Sequence, residues 1–414
     1  MICRTNESLP RVLILAFHFP PDNASGAARP NRFFQYLPEF GYQPEVITAA
    51  SPPCPVAHVH SVPAPTRFPS KRTASGVMEI GLRKFLFLND EAVLWAWSAA
   101  RFAGALHRRH PVAAVLSTFP PVNTHLAALS LKLRYPWPWI ADFRDPMLGN
   151  PFRGSGHMTG MTARFLEPQI FRRADAILSV TDVIADNWRR QYPLHADKIH
   201  TIWNGFDPGE RIGPLPIPVR AERVMAHVGN LYGLRHPAVV LASLQRLLDR
   251  NLLAPRQVRV HLVGELDADI RRSHAELFAN LEARQALEYS GSLPRAQALR
   301  IMGEANYLLL VDVMGGEGYG TVPAKLFEYL RIGRPILAIT ARDSPVERIL
   351  ASSGAPYRAV HPDDNQARID EQVMQFLQLP SEPVAPSAWF EETFDGRRQT
   401  ALLARLLDTL VGTK

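Results

Sequence analysis

Short apolar runs rich in Val, Ile, Leu and Ala recur along the chain, separated by segments in which apolar positions return every three or four residues. The runs at 12–17, 45–48, 113–117, 139–142 and 176–179, and then at 224–228, 258–263, 308–312 and 336–339, are continuous rather than alternating. Continuous runs mark strands covered on both faces, and the helical period between them supplies the cover. The expected class is therefore α/β, with parallel sheets between layers of helices. At 204–209, Asn-Gly-Phe-Asp-Pro-Gly is followed by Pro214, Pro216 and Pro218, a stretch that can neither continue a helix nor pair as a central strand. Two Rossmann-like doubly wound domains, 1–205 and 206–385, facing each other across a cleft, are the expected architecture. A last segment, 386–414, contains an amphipathic helix from about 397 to 410 with Leu402, Leu403, Leu406, Leu407 and Leu410 on one stripe, expected to pack back on the N-terminal domain.

Composition narrows the classes. With 414 residues, 46% hydrophobic and 21% charged, the chain is too apolar for disorder and long enough for two or three domains. The most apolar long segment, 92–106, is broken by Arg101, so no membrane span is expected. Residues 1–7 have no apolar core of a signal peptide, and two cysteines, Cys3 and Cys54, cannot make a disulfide framework, which points to a cytoplasmic, reducing compartment. The net charge of +7 is uneven. Residues 1–210 hold 22 Lys and Arg against 16 Asp and Glu, and the remainder 24 against 23. A basic half suits nucleic acid, an anionic membrane surface or an acidic ligand. No helix-turn-helix, zinc finger or aromatic RNA platform accompanies it, so nucleic acid is not an expected partner. The apolar-basic run 80–88, with Arg83 and Lys84 inside it, is the candidate for contact with a membrane.

The loops carry the candidate chemistry. After the first run, 18–29 has one glycine, Gly26, and Arg29, where a dinucleotide fingerprint would need three glycines. Such a small-residue loop leaves N–H groups for an anionic or hydroxyl-rich ligand, or is an ordinary strand-to-helix connection. The sharpest segment is 314–330, in which four glycines lead through Gly320, Thr321, Val322 and Pro323 into a helix carrying Lys325 and Glu328. It follows a buried strand, the place where open α/β sheets bind ligands. The orphan N–H groups of the helix start and Lys325 favour phosphate, while Glu328 suits sugar hydroxyls. A surface Lys-Glu pair is the structural alternative. A second loop, 228–237, holds Gly229, Asn230 and Arg235, whose fork matches a diphosphate. At 142–145, Asp142, Arg144 and Asp145 leave another strand. The two carboxylates are candidates for a base, a hydroxyl acceptor or a hinge anchor, with Arg144 paired to one of them. His125 is a weaker acceptor-side candidate, or a satisfied helix histidine. No cluster has zinc-ligand spacing and no Ser or Cys sits in a nucleophile elbow, so no metal is expected.

Taken together, these segments resemble the GT-B glycosyltransferases related to family 4, which retain anomeric configuration. The resemblance covers 13–29, Asp142 to Pro146 and 174–177 in the first half. In the second it covers 204–207, 229–235, 262–265 and 323–335, the last being the most specific. It implies transfer of a sugar, hexosyl in type, from a nucleotide sugar to the hydroxyl of a glycan or lipid-linked acceptor in bacterial surface polysaccharide or glycolipid synthesis. It implies no cofactor and no metal, at a site cytoplasmic or peripheral on the inner face of the plasma membrane. By this likeness Glu328 holds the ribose hydroxyls and Arg235 and Lys325 neutralise the diphosphate. Gly229, Asn230, Gly320, Thr321 and Val322 line the donor, and Gly26 lies beneath the sugar and leaving phosphate. Asp145 joins Arg235 and Lys325 as an expected catalytic residue, and Gly26, Arg29, Arg144 and His125 fall on the acceptor side or in the phosphate loop. One departure is that many members carry a glutamate eight positions before the one matched by Glu328, where this chain has Gly320; amides near Thr321 and Val322 stand in. A nucleotide-sugar epimerase and a non-catalytic nucleotide-sugar-binding protein on the same fold stay open as alternatives.

Overall fold

The computed structural model describes residues 9–22, 24, 26–63, 90–148, 157–220, 222–312 and 320–412. The run 80–88 and most of the glycine-rich stretch, 313–319, lie outside the described residues. The chain forms two compact units, residues 1–204 with 396–414, and residues 205–395.

The first unit is built on β1 (Arg11–Leu15), β2 (Gln43–Thr48), β3 (Val59–Ser61), β4 (Val112–Phe119), β5 (Trp139–Phe143), β6 (Ala176–Ser179) and β7 (Ile199–Thr201). Every pairing is parallel, in the order β3-β2-β1-β4-β5-β6-β7. Neighbouring residues of one strand serve opposite faces. Leu13 and Leu15 pack with Trp95, Phe119 and Phe143, whereas Val12 and Ile14 pack with Phe33, Leu116 and Leu407. Burial on both faces is why these strands read as unbroken apolar runs.

The second unit repeats the plan with β8 (Arg223–Val228), β9 (Val258–Val263), β10 (Leu287–Tyr289), β11 (Tyr307–Val311), β12 (Ile336–Ile339) and β13 (Tyr357–Val360), parallel throughout, in the order β10-β9-β8-β11-β12-β13. In each unit the strand order reverses beside the first strand, between β1 and β4 and between β8 and β11. Open α/β sheets bind ligands outside the carboxyl ends of the strands at such a point.

The chain crosses from the second unit to the first at Gly396, later than the expected 386. The helix Ala388–Phe394 stays with the second unit because Phe390 stacks on Phe206 at 5.4 Å and Phe394 meets Phe327 at 5.0 Å. The closing helix Gly396–Val411 buries Leu403, Ala404 and Leu407 on the first sheet, with Leu406 and Leu410 partly buried beside them. Leu402 is off that stripe and 36% exposed. Among the described residues no helix is long and apolar enough to cross a membrane.

Candidate functional site

The candidate donor cluster is assembled where β8 and β11 part. The two strands are paired only at Tyr307↔Met225 and Leu308↔Ala226. Beyond that, the ring of His227 spans the gap, with Nδ1 2.9 Å from the Leu309 carbonyl oxygen. A carbonyl only accepts, so Nδ1 carries the proton. Burial, reinforced by the positive charges of Arg235 and Lys325, pushes this histidine down to about 4, so it is neutral at pH 7. One residue on, the Val228 N–H donates to the hydroxyl of the wholly buried Tyr329 at 2.9 Å, which fastens the helix Ala324–Ile332 to the strand end.

That helix starts at Pro323, with extended backbone and no side-chain cap; in its first turn the Leu326 N–H turns back to the Pro323 carbonyl at 3.0 Å. Gly320, Thr321 and Val322 lead into it and are buried. Lys325 and Glu328 are one turn apart and paired, Nζ to Oε2 at 2.8 Å. The other oxygen of Glu328 accepts from Arg295 Nη1 at 3.1 Å, and Arg295 in turn donates through Nε to Glu210 at 2.8 Å. Although burial opposes it, the carboxylates of Glu328 and Glu210 hold the Arg295 guanidinium charged beyond its ordinary range. Glu328 thus stands between two cations with its side chain 15% exposed. Lone-pair capacity remains on a carboxylate that has accepted one bond at each oxygen.

Lys325 and Glu328 are legible as neighbours from their spacing alone, whereas Arg295 is not. Its place after Pro294 at the start of the helix Arg295–Glu304 carries no signal until the fold brings it to Glu328. The loop after β8 is held by different means. The Asn230 carboxamide oxygen accepts from the Glu265 N–H at 3.0 Å, tying the β8 loop to the β9 loop. Gly264, with φ of +127°, is needed there because a Cβ would strike the Gly229 carbonyl. Arg235 lies over the Tyr232 ring with its guanidinium carbon 5.6 Å from the centroid.

In the first unit the structure redistributes the expected roles. Asp142 is wholly buried and is gripped by Arg29 rather than Arg144, with Nε at 3.0 Å from each oxygen and Nη2 at 2.8 Å. Arg29 also donates to the Trp203 carbonyl at 2.9 Å and is 2% exposed, which corrects its reading as a phosphate-loop residue. A bidentate fork is the geometry a buried carboxylate needs to stay ionised. Arg144 instead donates to the Phe119 and Pro120 carbonyls and lies on Gly26, where a Cβ would collide with its guanidinium. The β1 loop and the β5 loop are thereby joined through Gly26 and Arg144. Asp145 is half-buried, and its charge acts on Arg144.

His125 is a core residue, correcting its reading as an acceptor-side group. It is fully buried, with Nδ1 2.7 Å from Ser117 Oγ and its ring stacked on Phe119 at 5.7 Å. Burial, with the charge of Arg144 adding to it, pushes it down to about 3. A residue not singled out from the sequence, Glu167, is wholly buried and accepts from the Leu148 N–H at 2.9 Å and the Tyr192 hydroxyl at 2.9 Å, anchoring the loop that carries Arg144 and Asp145. Burial raises its carboxyl to about 7 against those hydrogen bonds.

Residues 31–210 match a family model described as Glycosyltransferase Family 4. No curated protein matches the chain in sequence. Solved structures share its fold over nearly the whole length at low identity. A sucrose-phosphate synthase from Thermosynechococcus elongatus aligns with a TM-score of 0.64 at 12% identity, covering 98% of this chain and 100% of that one. HepE from Anabaena, in complex with UDP-glucose, gives 0.60 at 13%, covering 97% and 100%. A glycosyltransferase from Rickettsia africae gives 0.61 at 11%, covering 99% and 100%. The matched first-half segment, the two doubly wound parallel sheets and the whole-chain likeness to these structures agree with one another: residues 31–210 match glycosyltransferase family 4, and the chain as a whole has a GT-B fold.

Proposed function

We propose that this chain is a family 4-type glycosyltransferase that moves a sugar from a nucleoside diphosphate sugar to an acceptor hydroxyl with retention of anomeric configuration and without a resident metal ion. The reading rests chiefly on the Arg295–Glu328–Lys325 cluster at the β8/β11 switch point, beside the open start of the helix Ala324–Ile332. Glu328 takes the ribose hydroxyls, while Lys325, Arg235 and the helix N–H groups take the diphosphate. No side chain in that cluster is a free base. A diphosphate oxygen that leaves as the bond to the sugar breaks is itself basic enough to take the acceptor's proton, and the protein's share is to position and to neutralise charge. Donor binding by HepE, whose structure holds UDP-glucose, supports the choice of donor class.

The acceptor is a glycan or lipid-linked glycan intermediate of bacterial surface polysaccharide or glycolipid synthesis, met at the cytoplasmic face of the plasma membrane. The basic excess of residues 1–210 supports this reading. So does the likeness to WaaG, a glycosyltransferase involved in lipopolysaccharide biosynthesis, at a TM-score of 0.56 and 14% identity.

A panel of UDP-, GDP-, ADP- and dTDP-sugars in titration calorimetry tests the donor reading. Glu328→Ala is expected to weaken the best binder at least tenfold, since each charge-assisted bond lost is about 1.5–3 kcal/mol, while the melting temperature stays put. An unchanged Kd overturns the assignment. Arg235→Ala and Lys325→Ala are expected to cut kcat about 10²–10³-fold with a smaller effect on Kd, because they hold the departing diphosphate more tightly than the bound one.

A further inference from the structure

His227 sits at the switch point of the second sheet, fully enclosed, and only one of its two ring nitrogens is used. Nδ1 donates to Leu309 across the split between β8 and β11. Nε2 is buried without a well-formed hydrogen bond, although the Gly229 backbone lies close enough to favour the ring's charged form against burial. It faces Gly229: a Cβ built on that glycine would stand 3.5 Å from Nε2 and 3.8 Å from Cγ of Lys325. The space between the imidazole and the lysine stem is therefore open only because residue 229 has no side chain. An unpaired polar atom in such a place costs stability, and a fold optimised for stability alone would fill the position with an apolar side chain.

Burial is the main reason the ring is neutral, and the charges facing it reinforce that against the hydrogen bonds of the Leu309 and Gly229 backbone. Arg235 from the β8 loop and Lys325 from the helix Ala324–Ile332 both oppose its protonation, adding to the effect of burial. Tyr329, from the same helix, has its own hydroxyl pushed up by burial and stays uncharged, and Glu328 is already paired with Lys325 and Arg295. A diphosphate placed between Arg235 and Lys325 brings two negative charges and reverses the local potential.

We infer that His227 is a further donor-binding residue, which takes one proton from solvent as the diphosphate of a nucleotide sugar arrives and donates the new Nε2–H to a phosphate oxygen approaching past Gly229. Atoms balance with one water-borne proton taken up per donor bound and released when the nucleotide leaves. This rests on the donor-site reading of Arg235, Lys325 and Glu328.

The test is titration calorimetry of the full chain at pH 7 with UDP-glucose, GDP-mannose, ADP-glucose and dTDP-glucose, repeated in phosphate and in Tris. The two buffers differ in ionisation enthalpy, so the difference in observed heat counts protons. The diphosphate of a nucleotide sugar has no group titrating near neutrality, so any uptake belongs to the protein. Wild type is expected to take up a substantial fraction of one proton with its best binder. His227→Asn, which can keep the bond to Leu309, is expected to lose that uptake and to bind about tenfold more weakly. His227→Gln, which offers an N–H where Nε2 stood, is expected to recover affinity without uptake. Tight binding with no proton taken up, or uptake that persists in His227→Asn, overturns the inference while leaving the donor site intact. Failure of every nucleotide sugar to bind removes the donor site and this inference with it.

Discussion

Asp142 and Arg29 hold each other at three donor–acceptor contacts with almost no exposure on either side. Removing one partner strands the other's charge, so Asp142→Ala is expected to destabilise the first unit by about 3–5 kcal/mol in urea unfolding. A loss of activity without a loss of stability would instead return Asp142 to the chemistry. The buried ionisable groups also give the stability a shape in pH. His125 falls from 6.5 to about 3 on folding, so its contribution is complete above pH 6.5 and is lost as the pH falls towards 3, because the unfolded chain binds the proton first. Glu167 rises from 4.5 to about 7, so its contribution is complete below pH 4.5 and is lost as the pH rises through 7. Urea midpoints from pH 4 to 8 should therefore show His125→Phe flattening the acid limb and Glu167→Gln flattening the neutral limb, each by at most about 1.4 kcal/mol per pH unit. At this scale Lys325 and Glu328 were readable, since their spacing on one helix already made them neighbours. Arg29, His125, Arg295 and Glu167 were not, because their partners are 19 to 174 residues away or, around His125, are core rings that only the fold supplies.

The helix that presents Lys325 and Glu328 is only as well placed as its tie to β8. Tyr329→Phe leaves the Val228 N–H without the hydroxyl it donates to, which is expected to cost about 1–3 kcal/mol and to loosen donor binding several-fold in the same calorimetric panel. The loops behave alike. Gly264→Ala drives a methyl group into the Gly229 carbonyl at a backbone angle that disfavours any side chain, and should lower both the melting temperature and the affinity for nucleotide. Unaltered binding in Gly264→Ala would show that the β8 loop does not hold the donor. Most central strands were legible within a residue or two from their apolar runs. The four that were missed, β3, β7, β10 and β13, are the four sheet edges. Each is three or four residues long, and polar residues such as His60, His200, Glu288 and Arg358 interrupt its apolar positions.

For the chain as a whole, repetition was the readable property. Two successive sets of strands with a proline-rich break between them gave two doubly wound units, and both sheets have the strand order that such a series produces. The return of the chain was anticipated from the leucine stripe at its end, but not the aromatic packing of Trp389, Phe390 and Phe394 that keeps the preceding helix with the second unit. Residues 205–395 are one uninterrupted stretch, whereas the first unit needs 396–414 to cover Val12, Ile14 and Leu116. Expressed alone, 205–395 is expected to give a cooperative melt, and 1–204 is expected to aggregate until a peptide spanning 396–414 is added. A soluble, cooperatively melting 1–204 fragment would contradict this. The same covalent path sets an order of events during translation. The middle of the chain leaves the ribosome complete and can fold while synthesis continues, whereas the first unit, although made first, waits with one sheet face uncovered until the last helix emerges. That uncovered interval is when a chaperone has the most apolar surface to hold, and a stop codon just before Gly396 would spare the second unit while leaving its neighbour permanently unfinished.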